Sequence, residues 1–280
     1  MNIGITGTGG YLGSRISNYL KIKGHTVHSF SSKYSDNDSG FNFYFSLEKG
    51  IEKDILSKLD VLIHCAYDFS MTNWGDILKV NVNGTIRLFD DAYESGVKKL
   101  IFISTMSSYS SCLSNYGRAK QLIEKHIEKY NSIIIKPGLI YGKTAGGMIG
   151  AIKKAVDAIP IIPLVGGDKV LYLIHEDDLC EIINYLLTIN NNKNIEIIAA
   201  NKNGKMFKEI VKQLIRAAGK KRILIPIPFH LVYGILLFFE KLNIKIGFRS
   251  DSLVSLYNQN VNPDFSLLDE MHLKLRDLGL

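Results

Sequence analysis

The chain has 280 residues, 46% of them hydrophobic and 22% charged, a globular balance that excludes a disordered, collagenous or low-complexity polypeptide. Its formal net charge is +7, yet its densest basic cluster, Lys220, Lys221 and Arg222, reads as a solvated helix end rather than a nucleic-acid arm, so no nucleic-acid partner is expected. Three cysteines without regular spacing, Cys65, Cys112 and Cys180, exclude a disulfide framework and a zinc site and favour a reducing, cytoplasmic compartment.

Residues 3–6 read as a strand and 12–23 as a helix, with Leu12, Ile16, Tyr19 and Leu20 on one face and Gly24 closing it. Strands follow at 25–30, 60–66 and 99–105, and a helical stretch ended by Gly96 covers 77–94 between the last two. A helix starts near Asn115, a fifth strand covers 132–136, helices resume at 176–187 and 207–218, and 195–199 is a further strand. The strands are unbroken apolar runs, as expected when helices cover both faces of a parallel sheet. The alternation predicts an α/β fold, a Rossmann-type doubly wound parallel sheet with a smaller C-terminal substrate lobe. Residues 1–165 are assigned mainly to the dinucleotide-binding domain. Residues 166–280 are assigned mainly to the substrate lobe, interleaved with the last strands and helices of the sheet, with a cleft between the two. Residues 31–50 show no clear pattern. The least polar stretch, 223–239, contains Pro226, Pro228, His230 and Gly234, so no transmembrane segment is expected. It reads as a buried or amphipathic helix starting after Pro228; the alternative is a peripheral membrane contact through Leu236, Leu237, Phe238 and Phe239.

Thr6-Gly7-Thr8-Gly9-Gly10-Tyr11-Leu12-Gly13 joins the first strand to the first helix. Gly7 permits a tight turn, Gly10 lets the backbone approach a pyrophosphate, and Gly13 allows close helix–strand packing. The helix N-terminus that includes Tyr11 and Leu12 offers free N–H groups to the phosphates. An acidic residue ending the second strand would select NAD through its ribose hydroxyls. Ser31, Ser32 and Lys33 stand there instead, and hydroxyls with a cation suit the 2′-phosphate of NADP, so NADP is favoured over NAD.

Tyr116-Gly117-Arg118-Ala119-Lys120 places a phenol and an ammonium one helical turn apart. The ammonium is expected to lower the phenol's pKa and so let Tyr116 act as general acid or base. Lys120 would also bind the nicotinamide ribose. The spacing alone is weak, because 14 tyrosines and 34 basic residues generate such pairs by chance. Its place gives it weight: it opens a helix after the strand ending Ser104-Thr105, at the carboxyl edge where such sheets bind ligands. Thr105 can orient the same substrate oxygen, which makes Thr105, Tyr116 and Lys120 the candidate catalytic set. No metal is expected.

The chain resembles the extended short-chain dehydrogenase/reductases, the NAD-dependent epimerase/dehydratase family. The resemblance rests on TGTGGYLG at 6–13, DVLIHCA at 60–66, NVNGT at 81–85, GVKKLIFIST at 96–105, YGRAK at 116–120, KPGLIYG at 136–142 and YLIHEDDL at 172–179. It implies that Ala66 and Pro137 lie along the cofactor, that Asn81 supports the active site, and that a homodimer forms through the helix of Tyr116 and the one before it. Three departures stand out. Thr105 and Tyr116 are only 11 positions apart; Leu171 occupies a place where nucleotide-diphosphate binders often carry arginine; and Ser46 stands where an aspartate often reads the adenine. Arg249 or Lys245 could supply the missing charge.

The leading expectation is an enzyme that reduces or epimerises a sugar carbon, its small-molecule substrate a nucleotide-activated sugar. One alternative is an NADPH-dependent reductase of a hydrophobic ketone or aldehyde, suggested by Leu171 and the apolar stretch after Pro228. Another is a non-catalytic cofactor-binding sensor or assembly protein, although such relatives commonly lose the tyrosine or the lysine.

Overall fold

The computed structural model describes residues 1–34, 40–143, 146–189, 193–242, 244, 248–260 and 262–278. The first half alternates strand and helix: β1 (Asn2–Thr6), α1 (Tyr11–Ile22), β2 (Thr26–Ser31), β3 (Asn42–Tyr44), α2 (Lys53–Leu56), β4 (Val61–His64) and α3 (Trp74–Asp76). A π-helical turn at Ile77–Val82 then leads into α4 (Asn83–Glu94), followed by β5 (Lys99–Ile103), α5 (Asn115–Ile127) and β6 (Ile133–Pro137). Beyond these lie β7 (Leu139–Tyr141), α6 (Gly147–Ala158), β8 (Ile161–Leu164), β9 (Val170–Leu171), β10 (Leu173–His175), α7 (Glu176–Thr188) and β11 (Ile195–Ala199). The rest comprises β12 (Lys205–Met206), α8 (Phe207–Ala217), β13 (Ile223–Pro226), α9 (Phe229–Lys241), α10 (Ser250–Tyr257) and α11 (Ser266–Glu270).

Seven strands form one parallel sheet in the order β11-β6-β5-β4-β1-β2-β3. One face packs Ile3, Ile5, Ile63 and Ile101 against Ile16 and Leu20 of α1 and Leu179 and Ile183 of α7. The other packs Phe30, Leu62 and Phe102 against Leu88 and Phe89 of α4 and Ile123 of α5. Both faces are therefore buried, the reason the strands read as continuous apolar runs, and each fully buried Ile, Leu or Phe contributes about 1.5–3 kcal/mol.

Strand order reverses between β1 and β4, so the chain leaves β1 for one face and β4 for the other. The crevice this opens at the carboxyl ends of the two strands is where open α/β sheets take ligands. β11 returns to the sheet edge beside β6 from within the later half of the chain. The remaining short strands pair outside the sheet as β7 with β10, β8 with β13 and β9 with β12.

Candidate active site

At the end of β1 the chain turns through Gly7, at φ +76°, into α1. A Cβ on Gly13 would lie 2.3 Å from the Gly7 carbonyl oxygen, and one on Gly7 would lie 2.9 Å from the Ala66 nitrogen. Loop, helix and the chain after β4 thus approach more closely than side chains permit. No acidic residue sits in the first turn of α1 and no side chain caps it, so its N–H groups and positive end remain available to an anion. A cavity of about 640 Å³ opens over this turn, lined in part by Gly9, Gly10, Tyr11, Ser14, Arg15 and Lys143. Leu12 instead packs on the core. The Tyr11 phenol donates to Glu176, and burial followed by that carboxylate pushes its pKa up.

Thr6 fastens the crevice from below. Its Oγ1 accepts the backbone N–H groups of Cys65 at 3.2 Å and Ala66 at 3.4 Å and lies 2.8 Å from His64 Nδ1. With both N–H donors directed at it, the hydroxyl proton goes to Nδ1. The imidazole therefore carries its proton on Nε2, which faces Thr85 Oγ1 at 3.0 Å. Burial, then the nearby Lys120 charge, hold His64 well below its ordinary pKa, so the ring is neutral.

Ser31 is buried at the end of β2, while Ser32 and Lys33 are exposed. Ser31 Oγ accepts the Lys33 backbone N–H at 3.1 Å, and Lys33 Nζ donates to the Gly9 carbonyl at 2.7 Å. The cation is thus folded back onto the glycine loop. Ser46 forms a local turn, its Oγ accepting the Lys49 N–H at 3.1 Å.

Thr105 follows β5, and its Oγ1 accepts the Ser107 N–H at 3.1 Å. α5 starts on Ser114, whose hydroxyl oxygen accepts the Gly117 N–H at 3.1 Å. A Cβ on Gly117 would lie 2.3 Å from the Ser107 carbonyl oxygen, so the first turn of α5 rests directly on the turn that follows Thr105. Lys120 is only 2% exposed. Its Nζ donates to the Ile103 carbonyl at 2.8 Å and lies 4.4 Å from the Phe102 ring centre and 5.7 Å from that of Tyr116. Burial lowers its pKa to about 8.

Tyr116 is half-buried. Its ring meets Tyr67 edge-on at 4.8 Å and Phe69 at 5.6 Å. Burial raises the phenol's pKa, and Tyr67, Glu124 and Asp251 act in the same direction. The expected downward shift by Lys120 is therefore overturned. The ammonium is engaged by the Ile103 carbonyl, and the cost of desolvating a phenolate outweighs its pull.

Of the groups that hold this site, Asp251 carries no local sequence signal. Asp251, in the first turn of α10, accepts the backbone N–H groups of Asn115 at 2.7 Å and Tyr116 at 3.0 Å, capping α5 from 135 residues away. Arg249 does not reach out as a free charge. Its guanidinium donates to the Phe69 carbonyl at 2.7 Å and the Met71 carbonyl at 3.1 Å, clasping the loop that covers Tyr116. Lys245 lies outside the described residues. Asn81, fully buried in the π-helical turn, holds the same loop by accepting the Asp68 N–H at 2.7 Å and donating to its carbonyl at 3.0 Å. Glu124 could have been found from sequence, since it lies one turn beyond Lys120 on the same face of α5. It accepts the hydroxyls of Ser104 and Ser108 and pairs with Lys136 at 3.2 Å. Thr105, Pro137, Leu139, Leu171, Tyr172 and Leu256 line a second, smaller cavity of about 60 Å³.

The chain matches the NAD dependent epimerase/dehydratase family over residues 3–199. Among curated proteins it is 26% identical over 203 residues to the uncharacterized protein y4nG of Sinorhizobium fredii, covering 62% of this chain and 50% of that protein. It is 22% identical over 181 residues to the uncharacterized protein Rv2047c of Mycobacterium tuberculosis, covering 64% of this chain and 19% of that protein. The chain thus spans half or less of the length of these relatives. Among solved structures, MoeE5 in complex with UDP-glucuronic acid and NAD superposes with TM-score 0.71 at 17% identity, covering 81% of this chain and 86% of that one. UDP-glucose 4-epimerase of Thermus thermophilus in complex with NAD gives 0.65 at 17% identity, covering 92% and 98%. The NAD-dependent NDP-hexosamine 5,6-dehydratase TunA gives 0.70 at 16%, covering 81% and 85%. At these identities the likeness is one of fold.

Proposed function

The chain belongs to the NAD-dependent epimerase/dehydratase family, and from that premise we propose that it is an NAD(P)-dependent oxidoreductase or epimerase acting at a carbon of a nucleotide-activated sugar. One observation carries the reading: Lys120 is buried one turn from Tyr116, on a helix resting against the turn after Thr105, at the carboxyl end of the sheet. The glycine turn suits a dinucleotide, because Gly13 lets α1 begin against the Gly7 carbonyl and neither a side-chain cap nor an acidic residue occupies the first turn of the helix. In this reading Gly7, Gly10, Tyr11, Leu12 and Gly13 hold the pyrophosphate, and Ala66 and Pro137 flank the nicotinamide half. Ser31, Ser32 and Lys33 favour NADP over NAD. Tighter binding of NADPH than NADH, lost in Lys33→Ala, is the expected result.

The nicotinamide supplies the hydride chemistry when bound. Thr105 holds the substrate oxygen. The Tyr116 phenol, whose raised pKa keeps it protonated into the alkaline range, donates its proton to a carbonyl oxygen, the direction a reduction needs. Lys120, with one N–H on the Ile103 carbonyl, has further N–H groups that would hold a ribose hydroxyl of the bound cofactor. The elements after residue 165 serve as the substrate lobe. Family resemblance extends the reading to a homodimer through α4 and α5. The free cysteines, Cys65, Cys112 and Cys180, support a cytoplasmic setting.

A second reading, reduction of a hydrophobic ketone, is favoured by the apolar lining of the smaller cavity, where Leu171, Leu139 and Leu256 face Thr105. Absorbance of NADPH and NADH across keto-sugar nucleotides and hydrophobic ketones separates the two. Consumption with a sugar nucleotide, reduced at least about a hundredfold in Tyr116→Phe, supports the first reading; consumption with ketones alone supports the second. A flat signal calls for product analysis by NMR. Epimerised sugar then identifies an internally recycled epimerase, and unchanged substrate with tight cofactor binding identifies a non-catalytic binder.

A further inference from the structure

α9 turns an apolar face outward. Leu231, Ile235, Phe238 and the C-cap residue Leu242 recur at i, i+4, i+7 and i+11, a single stripe, and are 58%, 47%, 60% and 54% exposed. Gly234 falls in the same stripe, where a Cβ would meet nothing within 4 Å. The opposite face is already satisfied: Leu236 is buried with Val165 and Leu253, and Phe229 packs on Tyr233 and Tyr257. A second exposed apolar face immediately precedes the helix. Ile223 and Ile225 of β13, and Ile161 of its partner strand β8, are 63%, 42% and 49% exposed.

Charge selects the occupant. Lys241, exposed, borders the stripe along one side of α9. Glu240, the acid of this helix, lies on the far side, its carboxylate accepting the Ser250 N–H at 2.8 Å and hydroxyl at 2.7 Å. Lys220 and Lys221, also exposed, lead into Ile223, and the whole chain carries +7. Apolar side chains bordered by cations match an anionic lipid surface, where the stripe enters the acyl boundary and the ammonium groups meet headgroup phosphates. A two-fold contact between copies would bring the same basic border against itself, which like-charge repulsion opposes.

We propose that α9, together with the outer face of β8 and β13, is a peripheral docking surface for an anionic membrane. It seats the protein on the bilayer without crossing it; among the described residues no helix is long and apolar enough to span one.

Sedimentation of the full chain with vesicles of phosphatidylcholine, with and without phosphatidylglycerol, tests this. The expected result is partitioning onto the anionic vesicles that weakens as salt rises. Phe238→Glu should lower it at least about tenfold with an unchanged circular dichroism spectrum, and Lys241→Glu should lower it while flattening the salt dependence. The proposal is overturned if wild type stays in the supernatant, if neutral and anionic vesicles bind equally, or if both variants bind like wild type. It is also overturned if light scattering shows that Phe238→Glu changes the oligomeric state, since the stripe would then be a contact between copies.

Discussion

Replacing Lys120 by Met tests the buried ammonium at the centre of the site. Burial lowers its pKa from 10.5 to about 8, and each unit corresponds to about 1.4 kcal/mol, so keeping the charge at pH 7 costs the fold about 3 kcal/mol. Met fills a similar volume without a charge, but it leaves the Ile103 carbonyl without its donor, a loss of about 1 kcal/mol. Lys120→Met should therefore stabilise the protein by about 2 kcal/mol at pH 7. The pH dependence follows from the direction of the shift. Because the folded pKa lies below the unfolded one, the unfolded chain holds more protons between about pH 8 and about pH 10.5, so wild-type stability rises across that window. The variant lacks this rise, and its advantage should shrink and reverse to about −1 kcal/mol above it. Urea unfolding of both proteins at pH 7 and at about pH 10 measures the difference, with other titrating groups common to both. A variant less stable than wild type at pH 7, or a difference unchanged between the two pH values, would refute the reasoning. Under the proposed function the same substitution should also abolish turnover.

Gly13→Ala places a methyl 2.3 Å from the Gly7 carbonyl oxygen and should weaken cofactor binding at least about tenfold, read by fluorescence titration with NADH and NADPH. Asp251→Ala removes the acceptor for the Asn115 and Tyr116 N–H groups; a loss of about 1 kcal/mol and a fall in kcat with little change in cofactor affinity are expected from thermal melts and kinetics. Asp251→Asn keeps one of the two acceptors and removes a charge that raises the Tyr116 phenol, so it should retain part of the stability and move the alkaline limb of the pH–rate profile to lower pH.

What could be read in advance was local. The run from β1 through the glycine loop into α1 announces itself because turn glycines, an unbroken apolar strand and a periodic helix lie next to one another in sequence. Tyr116 and Lys120 are legible for the same reason, being one helical turn apart. β3 was not, because Asn42–Tyr44 is a three-residue edge strand of mixed polar and aromatic character inside a stretch without periodicity. The π-helical turn at Ile77–Val82 hides within a pattern that reads as ordinary helix. The direction of the Tyr116 shift depends on how deeply Tyr67 and Phe69 enclose the ring, which spacing along one helix does not encode. Asp251, and the loop that Arg249 clasps instead of offering a free charge, escape for a stronger reason: the partners lie 135 and more positions away, and single charged residues at the edge of a helix carry no period.

The cap that Asp251 places on α5 also sets an order of events during synthesis. A nascent chain that has emerged through Ala199 already contains every strand of the seven-stranded sheet, including the glycine cradle and the floor beneath it. At that moment the backbone of Asn115 and Tyr116 still lacks its carboxylate, and the loop through Phe69 and Met71 still lacks its guanidinium. The ribosome thus delivers the sheet first, and the cap on α5 and the clasp on the 69–71 loop can close only after residue 251 has cleared the exit tunnel.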